Sequence, residues 1–358
     1  MSIADAGRRA TVSGPFRSGT GAFALVTALL LAYPLVASSF FVFQIGAYSL
    51  ILGMLALSLM VLAGYGGMVS LAQITVAGTA GYFVAILGVN AAAGSGLGWP
   101  WWVVVPTAIL AAALLAGVIG AIAVRTAGIQ MIMITLAIAT AFFYFVNQNY
   151  AIFNGFNGFH GVVPPNAFGI AWRDPIAFYY LSLAVAAIFY GGVVYGARTP
   201  FGLSLQAIRD NPRRMRALGY NVSAHRIMAF FFAGLIAATA GVLLVWFNSQ
   251  ISPGAVSVAA AVNVLVIAVI GGMRHPIGPF LGAILFVLLE NFAIDLIDRE
   301  RFNTVIGIAF LLVVLLSPDG ILGLIQRLRP RLAPEGWRAG LATHLTRPSR
   351  ASGSSPSM

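Results

Sequence analysis

Runs of about twenty apolar residues, broken by short polar connections, recur along almost the whole chain, and that is the length an α-helix needs to cross a hydrocarbon core. Ten runs are expected as spans, at approximately 22–38, 40–63, 69–89, 101–124, 128–148, 176–196, 227–247, 255–273, 278–296 and 303–317. The alternating ten-residue segments of a membrane barrel are absent. The pattern therefore predicts an all-α polytopic membrane protein of about ten transmembrane helices, with a range of 8 to 11. Trp99, Trp101 and Trp102 around Pro100 mark one membrane interface, because indole favours headgroup depth. The connection from Asn149 to Pro175 is rich in Gly, Asn and Pro and poor in charge, as expected of an ordered external loop.

Three regions follow from the same pattern. Residues 1–21 form a polar N-terminal segment, 22–325 a transmembrane domain, and 326–358 a Pro-, Ser- and Arg-rich tail expected to be disordered. The N-terminal segment lacks the features of a cleaved signal, and the first apolar run reads as a span.

Composition sharpens the class. The chain is 60% hydrophobic and 8% charged, against roughly a quarter charged in soluble domains. A net charge of +11 might suggest nucleic acid, but the basic residues lie at the ends and in loops, with no soluble domain to present them. All 20 basic residues are Arg. Lacking Lys, the chain has no P-loop of its own, since that motif needs a Lys to reach the nucleotide phosphates. Without Cys it has no disulfide, thiolate metal site or cysteine nucleophile. With ten spans and an inner N-terminus, 17 Arg fall on the inner side and 3 on the outer. That bias predicts that both termini are cytoplasmic.

Deep inside this apolar chain lies a hydrophilic island, Gln206 to Arg226, with five Arg residues: Arg209, Arg213, Arg214, Arg216 and Arg226. Asn211 suits an N-cap, Pro212 the first helical position, and Gly219 the residue after the C-cap, where a left-handed backbone is needed. A helix of about two turns is expected between them, too short to stand alone in water. Arg213 and Arg216 would share a face, and Asp210 stands four residues before Arg214, the spacing of a helical side-chain pair. On these residues alone, two readings stay open: a loop that serves only topology and anionic lipid, or one that docks a partner.

Four blocks carry a resemblance. They are GYGGMVSLAQ at 64–73, followed by AGTAGY at 77–82; GLSLQAIRDN at 202–211, with RALGYNV at 216–222 and RIMAF at 226–230; GGMRHPIGPFLGA at 271–283; and SPDGILG at 317–323. In this order, across about residues 40 to 325, they resemble the permeases of branched-chain amino acid ABC importers, in particular the LivM type. The chain departs from the family at Leu203, where Arg is frequent, at Ala72, where Gly is common, and at Arg226, where Lys is usual. It also departs across Pro212, Arg213 and Arg214. These departures leave the substrate open, since related systems carry urea, amides or organic acids.

The resemblance implies an ABC importer permease bundle in a bacterial inner membrane. It would work with two cytoplasmic ATPase subunits, a second related permease chain and an external solute-binding protein. It would bind no cofactor itself, and ATP would be used by the partner subunits. The loop at about 198–226 would be the coupling loop, with Arg209, Asp210, Asn211, Pro212, Arg213, Arg216, Ala217 and Gly219 at the ATPase contact.

Other residues are candidates for packing or for the pathway. Gly64, Gly66, Gly67, Gly271, Gly272, Gly278 and Gly282 permit close helix approach or a break in a helix. Ser70 sits in the first block, and Gln73 and Asn263 are intramembrane polar residues of the kind that join helices. Glu290 lies inside the ninth span, where a carboxylate must face protein or water; it could pair with a cation, cap a helix or line a pathway. Asp295, Asp298, Arg299, Glu300 and Arg301 nearby favour a structural pairing. His160, His225, His275 and His344 are scattered, and no metal motif, carboxylate pair or nucleophile elbow is present. An autonomous channel or ion-coupled transporter is the alternative, and an intramembrane enzyme has the least support.

Overall fold

Helices occupy nine of the ten expected spans. The structure is a computed structural model that describes residues 19–88, 96–126, 128–165, 171–296 and 320. The tenth span, 303–317, and the tail lie outside the described residues, as does most of the N-terminal segment. The apolar runs become α1 (Gly19–Val36), α2 (Phe41–Tyr65, with π-helical turns at both ends), α3 (Gln73–Leu87), α4 (Trp101–Ala123) and α5 (Ile129–Gln148). A single turn, α6 (Tyr150–Phe153), precedes α7 (Pro175–Gly196). The island contributes α8 (Pro200–Asp210) and α9 (Pro212–Ala217), and α10 (Val222–Asn248), α11 (Val258–Gly271) and α12 (Gly278–Leu296) follow. By length and composition, five described helices can cross a membrane: α2, α4, α5, α7 and α10.

The bundle is organised around α10, which packs on α4, α3 and α2. Small residues set the spacing, since apolar surface gives no driving force between helices in lipid and close backbone approach must supply it. Gly120 faces Phe230, and Gly234 faces Ala113 and Ala116, so α4 runs antiparallel to α10. Gly241 abuts Ala77 and Gly81 abuts Val245, so α3 runs parallel to it. Helix α2 forms the inner wall and is buried without interruption from Ile51 to Leu62. At the end of the bundle away from the island, Phe159–His160 (β1) pairs antiparallel with Gln250–Ile251 (β2). There His160 Nδ1 and Gln250 Oε1 stand 3.0 Å apart.

Two helices are shorter than the runs that predicted them. The third run, expected to be helical from 69, is non-helical from Gly67 to Ala72, and Met68, Ser70, Leu71 and Ala72 are all buried there. Helix α3 therefore starts inside the bundle. Gln73 at its first turn reaches Ser58 of α2, which lies about 10 Å along the helix from Tyr65 at 1.5 Å per residue. The eighth run behaves in a related way. Helix α11 begins at Val258, after β2 and a 3₁₀ turn at Pro253–Val256, and Ser257 caps it.

Candidate functional site

The island folds as a helix, a break and a second, shorter helix. Thr199 caps α8 by accepting from the Gly202 N–H, with Pro200 in the first turn. The helix ends at Asp210 because Asn211 is extended (φ −153°, ψ 91°), the conformation favoured before proline. Asn211 then caps α9, its side-chain oxygen accepting from the Arg214 N–H at 3.0 Å. At the other end Gly219 adopts φ +88°, and the two bonds of a Schellman motif close the helix. The Tyr220 N–H donates to the Met215 carbonyl at 3.1 Å and the Gly219 N–H to Arg216 at 3.0 Å. Met215 is buried against Ile208 and Val222 and anchors α9 to its neighbours.

That anchoring leaves one face out. Arg213, Arg214, Arg216, Ala217, Leu218, Gly219 and Tyr220 are all exposed. Asp210 does not reach Arg214: the break at Asn211 removes the helical register on which that spacing depends. Asp210 pairs instead with its neighbour Arg209, at 2.9 Å.

Arg209 also joins the island to the membrane bundle. Its Nη1 donates to the Gly64 carbonyl at 2.5 Å. Its side chain lies across Gly67, where a β-carbon would come within 2.6 Å of the Arg209 Cγ. Gly64 in turn faces the Met273 carbonyl in the α11–α12 connection, and Gly320 packs on Gly271 and Gly272. Gly271 meets Gly278 and Gly282 backbone to backbone. Residues of the first three blocks, and Gly320 of the fourth, thus meet at one end of the bundle. The sequence assigns coupling to the second block and packing to the glycines of the first and third; the structure joins these residues in one junction.

The polar candidates divide. Ser70 and Gln73 are buried, at 1% and 2% exposure. Ser70 Oγ accepts from the Ala72 N–H, and Gln73 Oε1 accepts from Ser58 at 3.3 Å. Thr135 of α5, which the sequence did not single out, accepts the Leu71 N–H at 3.2 Å and so satisfies part of the non-helical segment. Thr75 is buried with an unpartnered hydroxyl among the described residues. Asn263 is half-buried on α11. Glu290 lies on α12 near Tyr48, with one carboxylate oxygen buried and unpartnered among the described residues. Arg299 and Arg301, its expected neighbours, lie outside the described residues.

The non-helical segments before α3 and α11 enter the bundle from opposite ends. Between α3, α10 and the second of these segments lies a cavity of about 20 Å³ lined by Gly78, Gly241, Asn248 and Gln250. It has room for one water, not for a solute.

Comparison with known proteins agrees with the family resemblance. A family model for the permease component of branched-chain amino acid transport systems matches residues 41–315. The high-affinity branched-chain amino acid transport permease LivM of Escherichia coli strain K12 is 25% identical over 77% of this chain and 66% of its own length. LivM of Salmonella typhimurium is 24% identical over 79% of this chain and 68% of its own length. The ribose import permease RbsC of Haemophilus influenzae is 24% identical over 68% of this chain and 76% of its own length. No solved structure matches the chain. The chain is a multi-pass membrane protein that belongs to the branched-chain amino acid transport permease family.

Proposed function

We propose that this chain is the transmembrane permease subunit of an ABC importer for branched-chain amino acids or related small polar solutes in a bacterial inner membrane. The island is its coupling element, lies on the cytoplasmic side with both termini, and docks a cytoplasmic ATPase. The observation that carries this reading is Arg209, which ties the island to Gly64 at the end of α2 and hence to the α11–α12 turn. A loop that served only topology would not need a fixed connection to the helix ends. ATP hydrolysis is supplied in trans by two ATPase subunits. A second related permease chain completes the pathway, and an external solute-binding protein delivers the substrate.

The two non-helical segments suit transport. Interrupted helices at membrane depth expose backbone groups that can serve a solute, and the buried polar set Ser58, Ser70, Gln73 and Thr135 lies at one of them.

Affinity purification of the chain from native membranes, with mass spectrometry of what accompanies it, tests the reading. A P-loop ATPase recovered with wild type and lost with Gly219→Trp supports it. A homo-oligomer without any ATPase, from a gentle preparation, overturns it in favour of an autonomous transporter.

A further inference from the structure

The island carries unbalanced charge that the fold holds in place. From Thr199 to Arg226 there are five Arg residues and one carboxylate, and that carboxylate, Asp210, is taken by Arg209. Arg226 sits in the first turns of α10 with its Nε buried and unpartnered among the described residues. Arg216 stands at the end of α9, which packs against α10, and its charge acts on Arg226. Two guanidinium groups near each other without an anion repel, and a buried donor left unmade is costly. They cannot simply swing apart with the backbone, because the Asn211 cap, the Schellman closure and the buried Met215 fix α9 relative to α10.

Apolar groups flank the basic ones. Leu218 is 66% exposed and Tyr220 44% exposed, and Gly219 between them has open space around it. Exposed apolar side chains beside uncompensated charge, on a segment of fixed shape, match the centre and rim of a protein interface. Lipid headgroups would satisfy the charge but make no use of the fixed shape.

We infer that the surface receiving α9 is an acidic groove on the partner ATPase, which places an Asp or Glu carboxylate between Arg216 and Arg226 and takes Leu218 and Tyr220 against an apolar floor. This rests on the island being the ATPase-docking element and adds the chemistry of its partner. A guanidinium–carboxylate contact shielded from water is short and strong. Charge complementarity of this kind also selects the right partner and speeds encounter.

The test uses the full chain purified with its ATPase from native membranes, at low and at high NaCl, with ATPase retention as the readout. Wild type is expected to lose ATPase as salt rises. The double variant Arg216→Gln with Arg226→Gln is expected to retain about tenfold less at low salt, with a flattened salt dependence. Arg226→Lys, which keeps the charge, is expected to retain most of it. Size-exclusion profiles show whether each variant is folded, and Arg216→Gln alone, at an exposed position, serves if the double variant is not. Equal retention by wild type and the folded glutamine variants, with Gly219→Trp still deficient, overturns the acidic groove and leaves the docking reading standing. Absence of ATPase from every version overturns both. Unchanged ATPase retention with lost binding to vesicles containing anionic phospholipid assigns the Arg pair to lipid and overturns the inference.

Discussion

Arg209 and Gly64, 145 residues apart, are joined by a hydrogen bond from the guanidinium to a backbone carbonyl. Gly64 has no side chain, and the space a β-carbon would fill is occupied by the Met273 carbonyl. One glycine therefore contacts the island through its carbonyl and the α11–α12 connection through its α-carbon. On the proposed coupling role, a displacement of the island would act on both helix ends together. This gives the coupling reading a physical path made of two contacts.

Removing that link should separate folding from transport. Hydrogen bonds to charged groups are worth about 1.5–3 kcal/mol, but Arg209 is partly exposed, so Arg209→Ala is expected at the low end of that range. ATP-driven solute uptake in reconstituted vesicles should fall well below wild type while expression persists. Arg209→Lys should restore only part of it, because an ammonium lacks the planar fork that reaches Asp210 and Gly64 at once. Full uptake by the alanine variant would show that Arg209 is not part of the coupling path.

Gly67→Ala is expected to be worse than an ordinary glycine replacement. Its φ of +65° disfavours any β-carbon, and the new atom would press on the Arg209 Cγ. The backbone strain alone costs about 1–3 kcal/mol, and relief requires Arg209 to move off Gly64. The variant should therefore melt lower in detergent and also couple poorly. Gly117→Ala, whose β-carbon would meet nothing, is the matched control and should leave both unchanged.

The caps of α9 were legible because capping is local. Asn211, Pro212 and Gly219 declare their roles within a nine-residue window, and the structure uses each as read. Thr199-Pro200 carries the same signature at the start of α8, but polarity does not mark that helix, because the hydrophilic island begins only at Gln206. The late start of α3 was hidden for a different reason. Met68 to Ala72 continue the apolar run, and their backbone is partly satisfied by Thr135, which lies 64 residues from Leu71. The Asp210–Arg214 pairing failed because Asn211 interrupts the helix that would have brought the two together. Convergence of the first three blocks with Gly320 is a tertiary fact that no local pattern encodes.

The tight glycine contact between α11 and α12 makes a further prediction. A β-carbon at Gly282 would strike the Ile267 carbonyl and the backbone of Gly271, neither of which can yield like a side-chain tip. Gly282→Leu should push the two helices apart and lower the melting temperature of the purified protein. Overpacking of a close-packed contact costs about 1–3 kcal/mol or more. Leu281→Ala, one position along and only partly buried, should cost less. If Gly282→Leu melted like wild type, the close approach would not be a feature of the folded protein.

Asn211 offers the most local test of the island. Its side chain supplies one acceptor to a helix of only six residues, and a helix so short has little else to hold its first turn. Asn211→Ala should cost about 1 kcal/mol, which falls on α9 rather than on the bundle. Global melting should move little, while amide exchange at residues 213–220 should quicken several-fold. Asn211→Asp keeps the acceptor and should restore protection at those amides. ATPase retention should follow that exchange, since a frayed helix must be reordered before it can dock, and ordering costs free energy on binding. Quickened exchange with undiminished retention would mean that the partner does not read the shape of α9, and the docking contact would then have to lie on α8.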